Sequence, residues 1–196
     1  MKRASLILAA LAVVLYVSAP AKAGTITYED QAQASGTLGA SSFFDVFVTV
    51  EFTGDTANVT GGSGFFSNSV GTATVNVPGV GTATFTDAMF VGDNQIAMVA
   101  GIADSTLNGS VLDTTNSAFA SYDLKSAIGP LSGTPFFRPD LTYNTTAGGL
   151  NFNAIIGNST FTATTGTPTP EPASLLLLGS GLVALSGSVR KRLNSA

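Results

Sequence analysis

One stretch, residues 43–52, limits the fold more than any other part of the sequence. Apolar residues occupy every second position from Phe44 to Phe52, and most positions between them carry an acidic or hydroxyl side chain. This period of two is typical of a β-strand with one buried and one solvated face. Phe47 interrupts the polar side, and we expect a loop to cover it.

Similar short segments recur along the chain and are separated by Gly, Asn, Asp and Pro. Further strands are predicted at residues 25–31, 64–68, 72–77, 80–86, 95–102, 111–113, 119–125, 150–156 and 160–164. A helical turn competes with the strand at 119–125, and Pro135 and Pro139 place a long connection over one sheet edge. This spacing predicts an all-β fold, a single antiparallel β-sandwich of jelly-roll type.

A short repeat predicts one hairpin within this sheet. The sequence Gly-Thr-Ala-Thr begins at Gly71 and again at Gly81, on either side of Pro78 and Gly79. Proline fixes φ for the first turn position, and glycine accepts the positive φ of the second. We therefore expect two antiparallel strands joined by a tight turn.

The N-terminus has the order of a secretory signal. A basic start at Lys2 and Arg3 precedes apolar residues 4–17, and a small-x-small site follows at Ala21 and Ala23. This order is that of a Sec-type signal peptide, with a signal helix in residues 1–23 and cleavage before Gly24. An uncleaved N-terminal anchor is the alternative.

Charge and cysteine content set limits on the exported body. Six of the eight basic residues lie in the two terminal segments, so Lys125 and Arg138 alone oppose twelve acidic residues between positions 24 and 172, a net charge of −10. Such a body repels nucleic acid, and nucleic-acid binding is excluded. The chain has no cysteine, so no disulfide stabilises the single core expected in residues 24–165.

The C-terminus is built from three consecutive parts. These are the triplet Pro170, Glu171 and Pro172, the uncharged residues 173–189, and the basic cluster Arg190, Lys191 and Arg192. Seventeen residues make a helix about 25 Å long, slightly short of the roughly 30 Å hydrocarbon core. The basic cluster places the C-terminus in the cytoplasm, and the two prolines keep the triplet extended.

This order of parts resembles the PEP-CTERM tail of Gram-negative bacteria, which is also catalogued as an ice-binding-protein C-terminal domain. The resemblance covers roughly the last 25 residues, although Thr169 stands where valine often precedes the triplet. It implies that an exosortase recognises and cleaves at the triplet, that the helix is a transient inner-membrane anchor, and that the basic cluster stops transfer. The implied layout is a linker at 166–169 and a sorting segment at 170–193; a permanent single-pass anchor is the alternative.

Most catalytic side-chain sets are missing. Without histidine or cysteine, the chain has no Ser–His–Asp triad, no Cys–His pair and no zinc site built on those residues. Glu29 and Glu51 are the only glutamates of the body, and a carboxylate-pair glycosidase built on them is a minor alternative. We expect no enzyme activity, no cofactor and no metal.

A carbohydrate-binding module, assisted by calcium, is the main alternative function. Its aromatic contacts would come from Tyr28, Tyr122 and Tyr143. Its calcium ligands would come from Asp87, Asp93, Asn94 and Asp104, although turn formation explains these residues equally well.

Ice binding is a further alternative, because Thr-x-Thr pairs form ice-binding ladders in some families. The pairs are Thr72 with Thr74, Thr82 with Thr84, and Thr162 with Thr164. Threonine is also a common residue on a solvated strand face. The leading hypothesis remains an exported surface or biofilm-matrix protein of structural or adhesive type, handled by the Sec machinery and an exosortase and located among exopolysaccharide.

Overall fold

The computed structural model describes residues 24–166, which form an almost continuous series of β-strands. The strands are β1 Thr25–Leu38, β2 Ser41–Asp55, β3 Thr60–Gly62, β4 Phe65–Asn68, β5 Gly71–Val77, β6 Gly81–Thr84, β7 Met89–Asn94, β8 Val99–Asp104, β9 Gly109–Thr115, β10 Ile128–Phe136, β11 Tyr143–Thr145 and β12 Gly148–Thr165. Two short 3₁₀ helices lie at Thr56–Asn58 and Ser117–Ser121. Within residues 24–166 there is no α-helix, and none of the helical segments is long and apolar enough to cross a membrane.

The strands form one antiparallel sheet that curls on itself in a sandwich-like manner. Its order is β3-β4-β7-β8-β9-β10-β12-β1-β2-β5-β6, and β11 also pairs with β12. Strand β10 connects two halves, because Ser132 lies opposite Thr160 of β12 whereas Phe136 lies opposite Asp113 of β9. The all-β, antiparallel prediction is confirmed, but the sheet does not divide into the two separate sheets of a jelly roll.

We call β1, β2, β5, β6, β11 and β12 the first half, and β3, β4, β7, β8 and β9 the second half. The inward side chains of both halves pack into one core. Phe161 lies near its centre, with its ring centroid 5.3 Å from that of Phe119 in an edge-to-face arrangement. Fully burying an aromatic or aliphatic side chain of this kind contributes about 1.5–3 kcal/mol.

A buried carboxylate lies among these apolar side chains. Asp30 of β1 is fully buried, and the Thr114 hydroxyl of β9 donates a 2.9 Å hydrogen bond to its Oδ1. Burial raises the pKa of Asp30 well above its usual range. The hydrogen bond between Thr114 and Asp30 therefore links β9 of the second half to β1 of the first half.

The hairpin prediction is confirmed. Strands β5 and β6 pair antiparallel, with Val77 opposite Gly81. The Val80 amide donates a 3.0 Å hydrogen bond to the Val77 carbonyl, and Gly79 has φ +83°. Proline and glycine thus occupy the turn positions that the sequence assigned to them.

The alternation predicted for residues 43–52 is right in its second part and wrong in its first. Val48 to Phe52 alternate as expected, but Phe43 is buried and Phe44 is 75% exposed. Asp45 has φ +57°, at a point where the register between β1 and β2 shifts. This bulge adds one residue to β2 and reverses the faces before it. Phe47 is 57% exposed, so the expected loop cover is also wrong.

The strand predicted at residues 119–125 is wrong, and the competing helical turn is right. The Asn116 side chain accepts a 2.9 Å hydrogen bond from the Ala118 amide and starts the 3₁₀ helix Ser117–Ser121. This local side-chain bond satisfies a backbone amide that a strand would pair across a ladder. Phe119 then enters the core from the helix.

Four strands of the sheet were not predicted, and two of the predicted strands form one continuous strand. The segment assigned to a long connection is strand β10. Around Pro135 this strand pairs with β9 but not with β12, so the proline does lie at a sheet edge, as expected. Strands β3, β7 and β11 were also missed. The predicted strands at 150–156 and 160–164 merge into β12, because Gly157 and Asn158 form a bulge within the pairing with β1.

Candidate functional site

The three tyrosines proposed as sugar contacts are part of the core. Tyr28 and Tyr143 are completely buried, and Tyr122 is almost so. Their hydroxyl groups donate to backbone carbonyls, for example from Tyr28 to Leu124 at 2.6 Å. Burial raises the pKa of Tyr28 to about 12, so the phenol stays a donor. The prediction that these rings contact a ligand is therefore wrong.

The residues considered for calcium have other roles, and among residues 24–166 no three acidic side chains come together as a metal site. Asp104 accepts hydrogen bonds from two amides of the turn that follows it. Asn94 does the same for its own turn, and Asp87 accepts from Asn144. Asp93 is fully buried, and both of its carboxylate oxygens lack a hydrogen-bond partner.

Glu29 and Glu51 are brought together. They lie directly opposite each other on β1 and β2. Both are partly exposed on the outer face of the first half, where Glu51 accepts a weak 3.4 Å hydrogen bond from Thr53. This part of the outer face carries polar side chains, whereas Phe47 is exposed further along the same face of β2.

All three Thr-x-Thr pairs lie on that same outer face. The cross-strand register places Thr164, Thr27, Thr53 and Thr72 in one row across β12, β1, β2 and β5, and places Thr162, Glu29, Glu51, Thr74 and Thr84 in the next. We call these two rows the threonine face. Thr27 and Thr53 share a 3.0 Å hydrogen bond between their hydroxyl groups. The two glutamates interrupt the second row with charge.

The outer face of the second half is different, because it contains a groove with a volume of about 400 Å³. We call it the aromatic groove and define it by Phe65, Phe90, Gly92, Gly101, Asp113 and Phe136. The strands alternate so that Val91, Ala100 and Ile102 point into the core. The groove residues between them therefore point outward.

Aromatic rings form the two ends of the groove. Phe65 of β4 and Phe90 of β7 lie at one end, and Phe136 of β10 lies at the other. Phe65 is 46% exposed and Phe136 is 52% exposed. Four strand spacings of about 4.8 Å separate β4 from β10, so the groove extends roughly 19 Å across the sheet.

Glycines form the floor. Gly92 and Gly101 lie opposite each other on β7 and β8. A side chain at Gly101 would meet the Asp113 carboxylate and the Leu112 carbonyl, whereas one at Gly92 would come within 3.2 Å of the Phe90 ring. Glycine inside a strand often marks a close approach by another group, and here the neighbouring Asp113 carboxylate occupies part of that space.

Asp113 supplies the polar group of the floor. It lies on β9 between Gly101 of β8 and Phe136 of β10. Burial raises the pKa of Asp113 to about 7. Near neutral pH the carboxyl group therefore accepts hydrogen bonds as a carboxylate or donates one as the acid.

The sequence alone did not reveal this groove, because β7 and β10 were not recognised as strands. The available signal was the placement of Gly92 beside Phe90 and of Gly101 within a short apolar segment. With the correct strand register, these residues lie on the outward face. The groove is then recognisable, because two outward positions without side chains lie between aromatic residues.

The predicted targeting residues lie outside the residues that the structure describes. These are Ala21 and Ala23 of the signal-peptide site, the triplet Pro170, Glu171 and Pro172, and the cluster Arg190, Lys191 and Arg192; Gly24 is the first described residue. The predicted signal helix and C-terminal transmembrane helix fall in the same regions.

Comparison with known proteins identifies one of these regions. No curated protein and no solved structure matches the chain. Residues 168–192 match the family described as the PEP-CTERM protein-sorting motif, and this range includes both the triplet and the basic cluster. Such a motif supports an exported protein that passes through a membrane and is sorted by an exosortase to the surface. The chain therefore carries a PEP-CTERM protein-sorting motif at residues 168–192.

Proposed function

We propose that this protein is a structural or adhesive component of the cell surface or extracellular polysaccharide matrix. The observation that carries the proposal is the sorting motif at residues 168–192, joined to a separate acidic β-rich body. In this proposal a Sec signal exports the chain with cleavage before Gly24. The C-terminal helix then anchors it briefly in the inner membrane, and an exosortase cleaves at Pro170–Pro172. In this proposal the protein is a substrate of the exosortase and has no enzyme activity of its own.

The composition of the body supports an extracellular role. Residues 24–166 contain eleven acidic and two basic residues, a net charge of −9. A net charge far from zero favours solubility and disfavours nonspecific association with other anionic molecules. The chain has no cysteine, so the strands of the body pair without a disulfide.

Mass spectrometry of the protein recovered from the cell surface tests the processing step. We expect a new N-terminus at Gly24 and a C-terminus within or next to residues 170–172. A variant with all three triplet residues changed to alanine should keep its tail and accumulate in the inner membrane. An intact C-terminus at Ala196 on surface protein, or unchanged location of the triple variant, would contradict the proposal.

Carbohydrate binding is the second candidate function, and the observation in its favour is the aromatic groove. The tyrosines first considered for this role are buried, whereas Phe65 and Phe136 are about half exposed at the ends of a depression. A contiguous exposed apolar surface of this kind is typical of an interaction site. No calcium is required by this version of the proposal.

A further inference from the structure

The aromatic groove exposes apolar surface that a solvated sheet face does not need. Phe65 and Phe136 are each about half exposed, although the two rows of the threonine face carry only threonine and glutamate at their outward positions. Large apolar side chains left in water are retained at binding sites more often than elsewhere on a surface. The groove is therefore the part of the described surface best suited to a ligand.

The shape of the groove points to an extended ligand. Its length of roughly 19 Å follows from four strand spacings, and glycines lower the floor between the aromatic ends. A single small molecule placed at Phe136 would not reach Phe65. A chain of several rings would contact both ends and lie over Gly92 and Gly101.

The charge of the protein indicates which class of extended ligand the groove can bind. The body has a net charge of −9, and Asp113 adds an acidic group to the floor of the groove. A polyanion would be repelled by both. A neutral polyol would instead supply hydroxyl donors to the Asp113 carboxylate, since a carboxyl group offers several acceptor positions.

We propose that the aromatic groove binds a segment of a neutral polysaccharide. Pyranose rings have an apolar C–H face that packs on Phe65 and Phe136, and hydroxyl groups at their edges that reach Asp113. The ligand lies across strands β7 to β10. This inference rests on the second candidate function and names its site and its ligand class.

The test uses the full exported protein and an array of neutral hexasaccharides: cellohexaose, mannohexaose, xylohexaose and maltohexaose, with polygalacturonate as the anionic probe. We expect at least one neutral hexasaccharide to bind and polygalacturonate not to bind. The double variant Phe65→Ala with Phe136→Ala should weaken binding at least about tenfold, as is typical when central aromatic contacts are removed.

A matched control is available on the other half of the molecule. Phe44 and Phe47 are 75% and 57% exposed on β2, so Phe44→Ala with Phe47→Ala removes comparable apolar surface outside the groove. This control should bind as the unaltered protein does. Circular dichroism and thermal melting of both double variants show whether either one has lost its fold.

Two further variants test the floor without removing an aromatic ring. Gly92→Ala adds one methyl group within 3.2 Å of Phe90 and should weaken binding several-fold. Asp113→Asn removes the carboxylate but keeps the shape, and should weaken binding by a similar factor. These two variants keep the proposal testable if the double variant fails to fold.

Several outcomes would overturn the inference. These are no binding of any neutral hexasaccharide, equal binding by the groove variants, preference for polygalacturonate, and a dimer of this chain that disappears only in the groove variants. None of them depends on tail cleavage, which mass spectrometry reads separately. A protein that binds glycan but keeps Ala196 would contradict the processing proposal alone.

Discussion

The two outer faces of the sheet have opposite surface chemistry on similar backbones. On the threonine face, the Thr27 and Thr53 hydroxyl groups bond to each other at 3.0 Å. In the aromatic groove, Phe65 and Phe136 expose about half of their surface around two glycines. Both faces belong to antiparallel strands whose opposite sides enter one core.

This difference separates what the fold requires from what it only permits. The inward positions of both halves are apolar because they must be buried, and this requirement fixes the alternation. The outward positions face water and are free to vary. Threonine there favours the strand and satisfies its own hydroxyl group, whereas exposed phenylalanine adds nothing comparable to stability. The comparison therefore contrasts the threonine face with the aromatic groove, whose proposed role is recognition.

The largest expected effect tests whether the groove aromatics are outside the core. Phe161→Ala removes a fully buried ring and should lower the free energy of unfolding by about 3–5 kcal/mol. Phe136→Ala removes a half-exposed ring and should lower it by less than about 1 kcal/mol. Chemical denaturation measures both values. Equal losses would mean that Phe136 supports the fold, and the contrast between the two faces would fail.

The next effect concerns the buried carboxylates of the second half. Burial, with a smaller contribution from nearby Asp123, raises the pKa of Asp93 to about 7, and burial raises that of Asp113 to about 7. A group whose pKa is higher in the folded state stabilises the fold fully below its unfolded pKa, and this contribution is lost as pH rises through the folded value. We therefore expect stability to fall between about pH 4 and pH 7.

Thermal melting across this pH range measures the loss. Each unit of pKa shift corresponds to about 1.4 kcal/mol, so Asp93 should contribute a loss on the order of a few kcal/mol. Asp93→Asn removes this titration and should make the loss smaller, while Asp113, whose pKa is also about 7, still contributes. Asp140 is exposed and its pKa is lowered by Arg138, so Asp140→Asn serves as the control that leaves the profile unchanged. A profile unaffected by Asp93→Asn would contradict the assignment.

The parts of the fold that the sequence predicted are those set by local residue order. The hairpin follows from Pro78 and Gly79, and the alternation from Val48 to Phe52 follows from burial of one face. The bulge at Asp45 was not predictable, because it depends on the register between β1 and β2. The 3₁₀ helix after Asn116 was ambiguous, because its start depends on one side-chain hydrogen bond.

The site depends on tertiary placement even more strongly. Phe65, Gly101 and Phe136 are far apart in the sequence, and only the strand order brings them to one face. Predicting the groove would have required predicting strand β10. The prolines of this segment favour a non-strand assignment when the sequence is considered alone. The tail, by contrast, is a continuous segment, and its order of parts was sufficient to predict the sorting motif at residues 168–192.

A smaller effect distinguishes the two glycines of the groove floor. A Cβ at Gly101 would overlap the Asp113 carboxylate and the Leu112 backbone, so Gly101→Ala should lower the free energy of unfolding by about 1–3 kcal/mol. A Cβ at Gly92 would meet the Phe90 ring at 3.2 Å and the Phe65 ring at 3.5 Å, so Gly92→Ala should cost less than about 1 kcal/mol. Urea denaturation separates the two. Similar losses would mean that the floor is equally packed at both positions.

The smallest effect belongs to the threonine face. Glu29 and Glu51 lie directly opposite each other, and like charges in such a pair destabilise a sheet. Glu51→Gln removes the repulsion and should raise the free energy of unfolding at pH 7 by about 0.2–1 kcal/mol. Thr49→Gln, on the same strand and face but opposite Gln31, is the control without a charge change; because it removes the 3.1 Å hydrogen bond that Thr49 accepts from Gln31, it should not raise stability. The gain should shrink in high salt, because screening weakens interactions between exposed charges. A loss of stability in Glu51→Gln would instead show that this carboxylate pair is held by a favourable interaction, and the face would then be more than a solvated surface.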